Sequence, residues 1–158
     1  IREGDVIRTI GDQPIRDVQD YESAMRGFSK GEELAFHIRR NGREKEVRVE
    51  ASVFPRRLAM KLAYQLMGVE VVSIEEKRRF DQPISAGAGV IVSKVRPGSR
   101  LAEIGARRGD VIRKINEINL ETVEDFKDAV IKYRWKDSVV ILLQRGERGY
   151  YITLELTG

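Results

Sequence analysis

The sequence predicts an α+β chain built from two copies of one module. The pentapeptide Gly4-Asp5-Val6-Ile7-Arg8 returns 105 residues later as Gly109-Asp110-Val111-Ile112-Arg113. The offset then holds without a gap over about fifty residues. Ile10 falls on Ile115, Val18 on Val123, Asp20 on Asp125, Tyr21 on Phe126, Ala24 on Ala129, Arg40 on Arg145, and Val47 and Val49 on Ile152 and Leu154. Each copy also carries apolar residues at two different periods. Leu34, Phe36, Ile38 and their counterparts Val139, Ile141, Leu143 alternate, as strands do. Val18, Tyr21, Met25, Phe28 and, in the second copy, Val123, Phe126, Val130, Tyr133 recur at helical spacing.

The elements follow in order. Gly4 and Gly109 suit left-handed turns before a strand, which runs over Val111 to Ile115 in the second copy. Thr122 is placed to cap the next helix, with Asp125 three residues on completing a capping-box-like pair. Asn41-Gly42 and Arg145-Gly146-Glu147-Arg148-Gly149 read as hairpin turns, closed by strands over Glu46 to Ala51 and Tyr151 to Leu156. The second copy has an upstream half as well. Met67 to Ile74 and Gly89 to Val95 read as strands, Pro97-Gly98-Ser99 as a turn, and Leu101 to Ile104 as one helical turn stopped by Gly105. The first copy has no such half, and about forty residues are expected before Ile1. Between the copies, Pro55 opens a helix to about Met67 in which Leu58, Leu62 and Leu66 share a face. The expected divisions are 1–54 for the first copy, 55–65 for a helical connector and 66–158 for the second copy.

Composition narrows the function classes. Of 158 residues 41% are hydrophobic and 34% charged, which excludes a disordered tail. No apolar run approaches the roughly 18 residues of a membrane span. With no cysteine, there is no disulfide framework, thiolate nucleophile or cysteine zinc site. The net charge of +4 comes from basic residues interleaved with acids, so no nucleic-acid partner is expected. His37, the only histidine, sits between Phe36 and Ile38 and should point outward, which argues against a Ser-His-Asp triad and a histidine-rich metal site. Asp12, Asp17 and Asp20 lack the glycine and glutamate of a calcium loop and read as turn and helix-start residues. Gly87-Ala88-Gly89 is not followed by a helix, as a nucleotide cradle requires. No cofactor, metal or catalytic residue is expected in this chain.

The run Gly89-Val90-Ile91-Val92-Ser93-Lys94-Val95-Arg96-Pro97-Gly98-Ser99, then Leu101-Ala102, Gly105 and Gly109-Asp110-Val111-Ile112, resembles a bacterial PDZ domain. It is most similar to those of the HtrA/Do-like, DegP-type serine proteases. The resemblance implies a PDZ-like, partly open β-barrel or sandwich with two helices per module, the second module complete and the first truncated. It also implies capture of a peptide C-terminus by strand addition between the module's second strand and its longer helix. Leu66, Met67, Gly68 and Val69 match the loop whose amides hold the terminal carboxylate. Glu70 and Val71 match the pairing strand, and Val123, Lys127 and Val130 the helix face across the groove, where Lys127 departs from the usual apolar residue.

By the same resemblance, the parent would be a serine endopeptidase of protein quality control in the periplasm or cell envelope. Its partners would be C-terminal peptides of misfolded or envelope proteins, its own protease domain and, in a homo-oligomer, further copies of itself. Two rival readings are an oligomerisation scaffold and the PDZ region of a site-2 metalloprotease, a carboxyl-terminal processing protease or a secretion component.

Overall fold

The computed structural model describes residues 1–156 and divides the chain into two compact units, residues 1–54 and the remainder from Pro55 onward. In the first unit, β1 (Val6–Ile10), β2 (Gln13–Pro14), α1 (Val18–Arg26), β3 (Glu33–Arg40) and β4 (Arg43–Glu50) follow one another. The strands form an antiparallel sheet in the order β2-β1-β3-β4. Asn41 and Gly42 turn β3 into β4 with φ of 50° and 76°, the left-handed pair that matches strand twist. Alternation along β3 sends Leu34, Phe36 and Ile38 inward to meet Ile10 and Ala24, and leaves His37 exposed. Asp17 caps α1 by accepting from the Asp20 amide, which accounts for two of the clustered aspartates.

The second unit begins with a 3-10 turn (Arg56–Leu58) and α2 (Ala59–Leu66), then β5 (Val69–Ser73) and a second 3-10 segment (Ile74–Arg79). β6 (Val90–Val95), α3 (Arg100–Glu103), β7 (Val111–Ile115), β8 (Ile118–Asn119), α4 (Val123–Tyr133), β9 (Ser138–Arg145) and β10 (Arg148–Glu155) complete it. The sheet runs β10-β9-β7-β6-β5, all antiparallel, with β8 paired to β7. α4 starts at the expected capping box of Thr122 and Asp125 and buries Phe126, Ala129, Val130 and Tyr133.

One local expectation is corrected, and a second is refined. The strand expected from Met67 to Ile74 is shorter, because Met67 and Gly68 still belong to the end of α2 and a 3-10 turn begins at Ile74. In α2 the face shared by Leu58, Leu62 and Leu66 is not the deepest one. Ala59 and Ala63 are fully buried, while Leu58 is 39% exposed. The small residues go inward because α2 lies close against both α4 and β5, where a leucine would hold the backbones apart.

The segment between β5 and β6 covers the outer face of the sheet. Ala86, Ile91 and Val111 form a small core there, flanked by Val72, Ile74, Phe80 and Ile84. This explains why Val90, Ile91 and Val92 are consecutive apolar residues: the strand is buried on both faces.

The repeated Gly-Asp pair closes each unit in the same way. Asp5 accepts both guanidinium bonds of Arg40 at 2.7 Å and the Arg2 amide at 2.8 Å. Asp110 accepts from Arg145 at 2.7 and 2.8 Å and from the Arg107 amide at 2.7 Å. The Arg40 guanidinium, and after it the Arg2 amide, hold the Asp5 carboxyl far below its usual range against the opposing effect of burial. A depressed carboxylate contributes stability above its unfolded pKa and loses it as pH falls through the folded value. Below about pH 4 the first unit should therefore weaken. Arg40→Ala should shrink the stability difference between pH 7 and pH 2.5, as followed through β3 amide signals in urea titrations. An unchanged difference would exclude the pair as its source.

Candidate peptide-binding site

β5 is the terminal strand of its sheet, and hydrogen-bond parity shows what it offers at its open edge. The Arg96 amide donates to the Gly68 carbonyl at 2.7 Å, bracketing the pair Val69–Val95. That bracket makes the pair a non-hydrogen-bonded one, so the Val69 backbone groups turn outward. Farther along, Val92 spends its N–H on the Asp110 carbonyl and its carbonyl on the Gly109 amide. Its partner across the ladder, Val71, consequently faces outward too. Of the two residues expected to pair with a peptide, Val71 presents its backbone to the edge, and Glu70 directs its own across to Lys94. The Glu70 and Lys94 side chains also form an ion pair at 3.3 Å.

The expected carboxylate loop follows directly from α2. Leu66 is the last helical residue and Met67 the C-cap. Gly68 takes φ of 74°, and its missing Cβ would stand 2.3 Å from the Ser99 Cβ, so no other residue fits there without a shift. The Met67 amide donates to the Ala63 carbonyl at 2.8 Å and the Gly68 amide to the Tyr64 carbonyl at 3.1 Å. The Met67 and Gly68 amides are thus engaged by the last turn of α2, whereas Val69 turns its backbone outward.

Across from β5, the three α4 residues occupy different environments. Val130 is 5% exposed and belongs to the main core with Met67, Val69 and Val71. Val123 is partly buried against that core. Lys127 is half-buried and donates to Glu124 at 2.6 Å. Lys127, and more weakly Arg56, hold the Glu124 carboxyl below the usual range. Arg56 reaches α4 from the turn before α2, pairing with Glu124 at 3.0 Å and Asp128 at 2.8 Å.

Met60, Lys61 and Tyr64 of α2 line, with Glu70, Val71, Val72 and Ser93, a solvent-open cavity of about 380 Å³. The Lys94 and Arg96 side chains lie over the Tyr64 ring, 5.2 and 5.6 Å from its centre. The sequence reads residues 55–65 as a helical connector packed on the second copy but does not show that α2 lines a cavity beside β5. The only signal was the pair of small residues, Ala59 and Ala63, at i, i+4 spacing. Among the described residues no three His, Cys, Asp or Glu side chains group as metal ligands would.

The chain is 29% identical over 147 residues to the probable periplasmic serine endoprotease DegP-like of Bartonella henselae, covering 91% of this chain and 29% of that relative. It is 24% identical over 160 residues to the protein of the same name from Brucella suis, covering 99% of this chain and 31% of the relative. The chain thus spans about three-tenths of the length of the curated relatives it matches. Similar solved structures include the HtrA3 PDZ domain bound to a phage-derived ligand (FGRWV), at 19% identity and TM-score 0.46, covering 56% of this chain and 81% of that one. The HtrA-type protease AlgW with a decapeptide is similar at 18% identity and TM-score 0.47, covering 80% of this chain and 49% of that one. The model of the PDZ domain matches residues 1–51 and 65–156, which takes in both units and leaves out most of α2. The chain belongs to the PDZ domain family.

Proposed function

We propose that the second unit captures peptide C-termini by adding them as a strand to β5, on behalf of an HtrA-like serine endopeptidase. The observation that carries this reading is the edge of β5, which pairs with no further strand and where Val69 and Val71 turn their backbone groups outward beside the Gly68 loop. Main-chain pairing supplies affinity in such a mode, and amides at the loop select a terminal carboxylate. The periplasmic names of the curated relatives support an envelope location, and in this reading the captured peptides there are substrates to be recruited or activators. We read the first unit as the C-terminal half of a further module, since its strands and helix repeat β7 to β10 and α4 at the 105-residue offset.

The test uses the whole chain and controls placed on the peptide. Decapeptides ending in alanine, valine, leucine or phenylalanine are titrated as free acids, as C-terminal amides and as copies N-methylated at alternate residues. Amidation should weaken the best ligand at least about tenfold, the worth of one charge-assisted hydrogen bond. N-methylation should abolish binding at one parity and spare it at the other, because only every second peptide N–H faces the strand it joins. Binding indifferent to both changes would place the contact somewhere other than the β5 edge.

A further inference from the structure

α2 packs against both β5 and α4, the two walls of the groove that the proposed function assigns to a peptide. A peptide whose carboxylate meets the Gly68 loop, at the start of β5, must run antiparallel to β5. α2 does the same, because the chain reverses at Met67 and Gly68. The Ala63 and Tyr64 carbonyls take the Met67 and Gly68 amides in i→i−4 bonds that end the helix, so two of the loop amides a terminal carboxylate would use are engaged while α2 is in place.

The side-chain position is filled too. Between Leu66 and Met67 on one side and Ala129, Val130 and Tyr133 on the other, only about 10 Å³ remains. That is at most the room for one water and far too little for a peptide side chain. At its other end, α2 is latched to α4 by Arg56, through Glu124 and Asp128. Those pairs are about half exposed, so they hold weakly and yield to salt. A helix of eight residues has little stability of its own, and it lies almost wholly in the stretch that the PDZ domain match leaves out.

We propose that α2 is a tethered occupant of the β5–α4 groove, and that a C-terminal peptide reaches the β5 edge only by displacing it. The loop end of the groove is then closed at rest, while the cavity beside Val71 and Val72 stays accessible, and the apparent affinity is set by how readily α2 leaves. The proposal rests on strand addition at β5, and the experiment separates the two.

Hydrogen exchange is measured on the whole chain with and without the free-acid decapeptides, for wild type and Arg56→Glu. In the complex, amides of residues 69–72 should gain protection while those of residues 60–66 lose it. R56E repels Glu124 and Asp128, and it should bind about threefold to tenfold more tightly. Adding Glu124→Arg and Asp128→Arg to R56E should return the affinity toward the wild-type value. The wild-type exchange pattern decides the matter even where a variant folds poorly. Protection of 69–72 with undiminished protection of 60–66 would overturn the displacement of α2 and leave strand addition standing. Protection at another surface, or none with any peptide in either protein, would overturn both.

Discussion

Gly68→Ala is expected to destabilise the second unit by about 2–4 kcal/mol, through backbone strain and overpacking together. The φ of 74° places an L-residue in a sparsely populated region, and the new methyl would meet the Ser99 Cβ at 2.3 Å and its Oγ at 2.6 Å. Ser99 cannot yield cheaply. It is 3% exposed, and its hydroxyl caps α3 by accepting the Ala102 amide at 3.2 Å. Urea titrations monitored at Trp135, the only tryptophan, read the second unit directly.

Ser99→Gly should cost little alone, since glycine is a tolerable N-cap, and it should recover part of the loss when combined with Gly68→Ala. Strict additivity would mean that the two positions do not collide and would withdraw the packing part of the argument. The functional consequence is practical. Reduced peptide binding by any Gly68 variant would report damage to the fold before it reported loss of carboxylate capture, so controls on the peptide are the informative ones.

What could be read from the sequence was whatever depends on neighbours along the chain. The Gly-Asp repeat, the Thr122–Asp125 capping box and the Asn41-Gly42 hairpin are set by local geometry and stand as expected. The 105-residue offset made the sheet order of one unit a guide to the other. Features that depend on packing between distant segments were not legible. Arg40 and Arg145 were visible as matching positions, but their roles required knowing that β3 and β9 bring them to Asp5 and Asp110. Periodicity grouped Leu58, Leu62 and Leu66 on one face of α2 without showing which face is buried deepest, whereas close helix packing selected Ala59 and Ala63. At the candidate site, the loop and strand are assigned by resemblance alone. The outward parity of Val69 and Val71 depends on the bracketing bonds from Arg96 and at Val92, which no local pattern encodes.

The second large effect should come from the Asp110–Arg145 pair. The Asp110 side chain is fully buried and that of Arg145 is about one-third exposed, 36%. Both carboxylate oxygens are taken, one by Arg145 Nε and the other by Arg145 Nη2 and the Arg107 amide. Arg145 Nη2 also donates to the Gly105 carbonyl at 2.7 Å, tying the end of α3 to β9. Asp110 displaces Arg145 protonation upward, as expected for a well-made pair, while burial opposes it. Removing the arginine leaves a buried carboxylate with one amide donor, and such breakage costs about 3–5 kcal/mol. Arg145→Ala should therefore lower the Trp135-monitored midpoint about as much as Asp110→Ala does. Arg145→Lys should recover only part of the loss, because a single ammonium cannot span both carboxylate oxygens and the Gly105 carbonyl. Wild-type stability in Arg145→Lys would show that charge alone suffices and that the fork geometry contributes nothing. In the first unit the same geometry recurs at Asp5 and Arg40. Arg40→Ala should weaken that unit while leaving the Trp135 transition in place, which separates the two repeats within one molecule.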